Sequence, residues 1–210
     1  MKDAQAAAAG VLLRVQQGHT LDAQLTALWR TGASNKTSAE AHSTWRALTQ
    51  DLVYGVLRHR GELDCCLNAL LEKPLRDAVV RQLLWVALYQ LRHTRAAPHA
   101  VVDQAVSALE ELHLPGGRGA AKGAQGLVNA VLRASLRRQP ELNACVEGND
   151  VARYSFPPWW TAKVREQYPT HYQSMLSAGN QHAPLTLRVN VRRISRDDYL
   201  QQLQGAGIRS

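Results

Sequence analysis

The sequence predicts a mainly α-helical chain: an all-α bundle over residues 1–148, a helical linker over 149–183, and the beginning of a small α/β subdomain over 184–210. Three observations predict it. Apolar residues recur at helical spacing through the first two-thirds of the chain. Residues 77–92 are apolar around most of a helical circumference, the mark of a central helix. Strict alternation occurs only late, where Leu185, Leu187, Val189 and Val191 interleave with Thr186, Arg188 and Asn190.

Each element has a local cause. Val11, Leu12 and Val15 place a helix over Ala4–Gln17, and Gly18 stops it. Thr20 caps a second, with Leu21, Leu25 and Leu28 on one side. Thr37 and Glu40 form a capping-box pattern ahead of a stripe of Trp45, Leu48, Leu52, Val53 and Val56. Leu63–Leu71 continues after Gly61 until Pro74 breaks it. Asp77–Arg92 is the central helix, and Pro98 suits the first turn of the next, His99–Leu112.

Leu114–Gly123 reads as a flexible Gly-rich connection. No strand precedes it, and Ala121 stands where a phosphate loop needs glycine before Lys122. Gly126–Arg138 follows, with Leu127, Val128, Val131, Leu132 and Leu136 facing inward. Pro157 and Pro158 open a helix carrying Trp159, Trp160, Val164 and Tyr168, and Pro169 begins another towards Asn180. After the alternating stretch, Ser195 and Asp198 cap a helix over Asp197–Leu203, and Ile208 opens a second strand. A strand, a helix and the start of a strand make an incomplete α/β unit. Its unpaired edge is expected to leave the region after residue 185 looser than the bundle.

The formal charge is +8. Such an excess favours a polyanionic partner, and arginine, whose planar fork suits phosphate, dominates the clusters. The RNA-binding candidates are Arg58, Arg60, Arg92, Arg95, Arg133, Arg137, Arg188, Arg192 and Arg193. Arg58, Arg60, Arg92 and Arg95 sit at helix C-termini, so the helix dipole explains part of their placement. Arg133 and Arg137 lie four apart, away from the apolar stripe. Arg188, Arg192 and Arg193 surround the predicted strand, where dipoles explain least.

The three cysteines, Cys65, Cys66 and Cys145, show no zinc spacing, and the eight histidines form no i, i+4 pair beside a glutamate. No metal site and no catalytic residue is expected. No apolar stretch approaches the ~20 residues of a membrane span, and no signal peptide is visible, so a cytoplasmic chain without a membrane partner is expected.

Taken together, several segments resemble a known family. Asp51-Leu-Val-Tyr-Gly-Val-Leu-Arg58 with Leu63-Asp64, Leu88-Tyr-Gln-Leu-Arg-His-Thr-Arg-Ala-Ala-Pro-His-Ala100, and Gly126-Leu-Val-Asn-Ala-Val-Leu-Arg133 resemble a NusB-like helical domain. Ala152-Arg-Tyr-Ser-Phe-Pro-Pro-Trp-Trp160 and Asn180-Gln-His-Ala-Pro-Leu-Thr-Leu-Arg-Val-Asn190 resemble the segment joining that domain to a methyltransferase core, as in the ribosomal RNA small subunit methyltransferase B (Sun/Fmu) family.

The resemblance implies an S-adenosylmethionine-dependent enzyme acting on carbon 5 of a cytosine in 16S ribosomal RNA through a cysteine that follows Pro or Thr. No cysteine here follows either residue. The resemblance therefore implies the front, RNA-positioning part, with no catalytic or cofactor residue in this chain and S-adenosylmethionine bound only by the full-length family member. Asn129 is expected to satisfy a neighbouring backbone group. Two alternatives remain: a stand-alone NusB-type antitermination factor, which the extension from Pro157 to Asn190 argues against, and a module that binds proteins.

Overall fold

The computed structural model describes residues 2–32, 38–112, 117–181 and 186–208. Twelve helices and no strand occur among them. The first eight are α1 (Lys2–Gln16), α2 (Leu21–Gly32), α3 (Ala39–Arg58), α4 (Arg60–Leu70), α5 (Ala78–His93), α6 (Pro98–Ala108), α7 (Gly117–Arg137) and α8 (Gln139–Glu147). They are followed by α9 (Asp150–Tyr154), α10 (Pro158–Gln167), α11 (Tyr172–Gly179) and α12 (Arg196–Gly205). The chain divides into two compact units, Met1–Asn180 and Gln181–Ser210.

In the first unit α5 is the axis. Every residue from Val79 to Gln90 except Arg81 is buried, as its all-round apolar sequence requires. Asp77 starts it: Oδ1 accepts from the Val79 and Val80 amides at 2.8 and 3.0 Å, satisfying two donors a helix start leaves open. Helix α1 packs on α3, α5 and α6, and its run of small residues permits close approach, with Ala4, Ala8 and Ala9 fully buried. Two buried glutamines are paired across helices. Gln5 donates Nε2 to Gln90 Oε1 at 2.5 Å, and Gln82 donates to Gln16. Helix α9 packs on α4 and α8. A smaller core of Tyr154, Val164 and Leu176, backed by Phe156 and Tyr172, holds α10 and α11.

The structure revises several expectations. Ser38 caps α3, its Oγ accepting from the Ala41 amide at 3.1 Å; Thr37 lies outside the described residues. Residues 113–116 also lie outside them, but helix α7 is already formed at Gly117 rather than at Gly126. Ala121 is buried and Ala124 packs on the core, and that burial overrides the poor helix propensity of the glycines. Leu127, expected inward, is 37% exposed. Helix α8 was missing from the expectation because its pattern is faint: Leu142 is its one buried residue among those described.

In the second unit, residues 186–190 run without regular structure into a turn at 191–193. Alternation alone does not make a strand; without a neighbouring strand its backbone groups have no ladder to join. Leu187 and Val191 are 53% and 78% exposed. Ile208 is likewise in no strand. The cap is as expected: Ser195 Oγ accepts from the Asp198 amide at 3.1 Å and donates to its carboxylate at 2.6 Å.

Candidate functional site

Three helix ends meet around one carboxylate. His59 is both the C-cap of α3 and the N-cap of α4, so the chain turns there with no intervening loop. Glu62 lies in the first turn of α4, and Arg92 and His93 in the last turn of α5. Helix dipoles favour an anion at the first position and cations at the second. Arg92 Nε donates to Glu62 Oε1 at 2.6 Å. Glu62 Oε2 lies 3.0 Å from His93 Nε2 and 3.5 Å from His59 Nδ1. Arg92 Nη2 also reaches Asn143 Oδ1 on α8 at 3.0 Å.

Backbone contacts hold this junction. The Glu62 amide donates to Ser155 Oγ at 3.4 Å, and Ser155 has a left-handed φ of 53°. Gly61 is required beside it: a Cβ there would stand 2.2 Å from the Val151 carbonyl oxygen.

Burial works to raise the Glu62 pKa, but hydrogen bonds from His59, His93 and Arg92, with the charge of His93, outweigh it. They hold the carboxyl far below the usual carboxylate range. The His59 and His93 rings stack with centroids 3.9 Å apart, and Tyr89 stacks on His93 at 5.5 Å. Sequence reasoning passed over this cluster because His93 is 31 positions from Glu62. Its one local trace is the i, i+3 pair of His59 and Glu62.

The nine arginines fall into distinct settings. The stacked histidines bring the end of α3 beside the end of α5, and with them Arg58, Arg60, Arg92 and Arg95. Arg60 and Arg95 are exposed and Arg58 is half-buried. The Arg60 guanidinium lies over the Trp85 ring at 5.3 Å. Arg92 is engaged by Glu62 and Asn143. Arg133 and Arg137 lie exposed along α7. Arg133 Nε donates to Asn129 Oδ1 at 2.8 Å, so that amide meets a side chain rather than the expected backbone group. In the second unit Arg188, Arg192 and Arg193 are exposed, the last two on a turn that Asn190 closes through its carbonyl oxygen and Oδ1.

The cysteines are free, and Cys65 and Cys66 are poorly disposed to attack. Burial, followed by the neighbouring Cys145, pushes the Cys65 thiol up to about 12. Burial is also the main cause that pushes Cys66 up to about 11. A nucleophilic cysteine needs the opposite shift.

Comparison with known proteins places its boundary earlier than the division into compact units at Asn180. Residues 2–137 match the NusB family, and residues 156–210 match a Methyltr_RsmF/B-like, ferredoxin-like domain. The chain is similar to ribosomal RNA small subunit methyltransferase B of Pseudomonas putida, 41% identical over 78% of this chain and 36% of the relative. It is similar to the protein of the same name from Serratia proteamaculans, 36% identical over 92% of this chain and 42% of the relative, and from Escherichia fergusonii, 38% identical over 78% and 37%. The chain thus spans 36–42% of the length of these relatives. No described helix is long and apolar enough to cross a membrane. With residues 2–137 matched in sequence and the described residues among them forming this helical bundle, the chain belongs to the NusB family.

Proposed function

We propose that this chain is the RNA-positioning N-terminal part of a cytoplasmic, S-adenosylmethionine-dependent methyltransferase that acts on carbon 5 of a cytosine in 16S ribosomal RNA. The observation that carries the reading is the succession, in one chain, of a NusB-family segment and a Methyltr_RsmF/B-like segment. The relatives this chain resembles carry the name ribosomal RNA small subunit methyltransferase B.

The physical support is electrostatic. Arg58, Arg60 and Arg95, gathered around the α3–α5 junction, together with Arg133 and Arg137 on α7, present cations to a phosphate backbone. Arg188, Arg192 and Arg193 do the same in the second unit. Arg92 orders the junction through Glu62 and adds its charge to it. In this organisation residues 1–148 bind RNA, 149–183 link, and 184–210 begin the subdomain ahead of the methyltransferase core.

The described residues of this chain do not fit S-adenosylmethionine. No strand-to-helix glycine loop occurs among the described residues, and the Cys65 and Cys66 thiols are held protonated. We infer that methyl transfer belongs to a methyltransferase core outside these residues and that this chain alone is inactive. The alternative reading, a stand-alone NusB-type antitermination factor, leaves residues 156–210 without a role.

The test is binding of this chain to a 16S ribosomal RNA fragment across a salt series, with an unrelated RNA as control. Tighter binding to the ribosomal fragment, weakening steeply with salt, supports the proposal. Equal binding to both RNAs places selectivity elsewhere, and no binding turns the domain into a protein-interaction module.

A further inference from the structure

We propose that the groove between α6 and α7 is a subsite for one unpaired guanine of an RNA strand. The inference rests on the RNA-binding reading above and adds to it a place where a base is read, beside arginines that meet phosphates. Asp103, Val106 and Ser107 line the groove from α6, and Gln125, Gly126 and Asn129 line it from α7. Its volume of about 440 Å³ falls within the about 300–1,000 Å³ of small-ligand sites. Gly126 keeps it open. Nothing lies within 4 Å of the place a Cβ would take there, so packing does not require the glycine, and the helix loses propensity by it.

The polar groups of the groove complement guanine. The Asp103 carboxylate has no hydrogen-bond or ion-pair partner among the described residues. Asn129 is oriented by Arg133, whose Nε donates to Asn129 Oδ1 at 2.8 Å, so its Nδ2 is left to donate elsewhere. A carboxylate only accepts, and that amide nitrogen only donates. The Watson–Crick edge of guanine carries two adjacent N–H donors, one for each carboxylate oxygen, and a carbonyl acceptor for the amide. Uracil has a single N–H donor on that edge. Adenine and cytosine place beside their amino group a ring nitrogen whose lone pair a carboxylate repels. In single-stranded RNA this edge is free to be read. Val106 gives the ring an apolar wall. Like charge keeps a phosphate away from Asp103, whereas Arg133 and Arg137, exposed farther along α7, attract one. Arg133 spends its Nε on Asn129 and keeps its terminal nitrogens for that phosphate.

The test is fluorescence anisotropy of the 210-residue chain with labelled uridine heptamers whose central base is guanine, hypoxanthine, adenine, cytosine or uracil. The guanine heptamer should bind about fivefold or more tighter than the adenine, cytosine and uracil heptamers. Hypoxanthine, which lacks the amino group, should lose most of that preference. Asp103→Ala should abolish the preference. A merely electrostatic Asp103 would instead raise the affinity for every heptamer by one factor and leave the ratio intact. Gly126→Leu fills the groove and should abolish the preference while keeping the salt slope. Its melting temperature should equal or exceed that of the parent, because leucine is the better helix former and meets nothing there. Circular dichroism checks that Asp103→Ala folds. Equal binding of all five heptamers, with affinity falling steeply as salt rises, overturns the guanine subsite and leaves the RNA-binding reading standing. Binding of none overturns both. A guanine preference that survives both variants places the base elsewhere and overturns the subsite.

Discussion

The phenol ring of Tyr89 lies across the α-carbon of Gly55, so close that a Cβ at position 55 would stand 2.0 Å from Tyr89 Cζ. Glycine at this position lets α3 and α5 approach and lets the ring reach Asp51, to which its hydroxyl donates at 3.4 Å. The same ring backs the histidine stack. Gly55→Ala should destabilise the chain by about 1–3 kcal/mol, because the ring must leave its place. Denaturant melts measure the loss. Tyr89→Leu in the same chain should recover part of it; equal losses with and without Tyr89→Leu would show that the contact is not the cause.

Glu62 should make stability pH-dependent. Its folded pKa is depressed below the ordinary carboxylate value near 4.3. The stabilisation is therefore present above that value and lost as pH falls below it. Thermal melts should show a decline below about pH 4.5 that Glu62→Gln flattens. At neutral pH the same variant should cost roughly 1.5–3 kcal/mol through the hydrogen bonds it weakens. A chain and variant with parallel acid profiles would refute the assignment.

The thiols at positions 65 and 66 should resist alkylation. With values near 12 and 11, their thiolate fractions at pH 8 are lower than that of a free cysteine by about a hundredfold or more. Iodoacetamide labelling followed by peptide mass analysis should find both slow in the native chain and fast in denaturant. Rapid native labelling at Cys66 would contradict its burial.

Charge reversal at Arg188, Arg192 and Arg193 tests the exposed turn of the second unit. If the three arginines meet phosphates, each contributes about 0.7 to the log–log salt slope of single-stranded RNA binding. The slope should fall by about 2 in the triple Glu variant, as read by fluorescence anisotropy. An unchanged slope would move the RNA contact to the arginines of the first unit.

Much of the fold is legible residue by residue. Asp77 and the apolar run behind it define α5 without help from the rest of the chain, and Ser195 with Asp198 defines the start of α12. These are local signals, carried by neighbours four or fewer positions apart. Helix α8 escaped because it buries little, and the early start of α7 escaped because its glycines argue locally against it. The strand expected over Leu185–Val191, of which Leu185 lies outside the described residues, shows the opposite failure at residues 186–191. Period-two alternation is local, but strand formation needs hydrogen bonds to a distant segment. The arginines were all visible as candidates; their settings, free over Trp85 for Arg60 and engaged by Glu62 for Arg92, were not.

The sequence by itself determined the helical class, the central place of α5, most helix caps and the basic character of the surface, because periodicity, capping and charge act over a few residues. Only the tertiary structure decided that α7 begins at Gly117, that Gly55 must be small, and that Glu62 is encircled by His59, Arg92 and His93. Those outcomes depend on residues tens of positions apart arriving side by side, and packing alone brings them there.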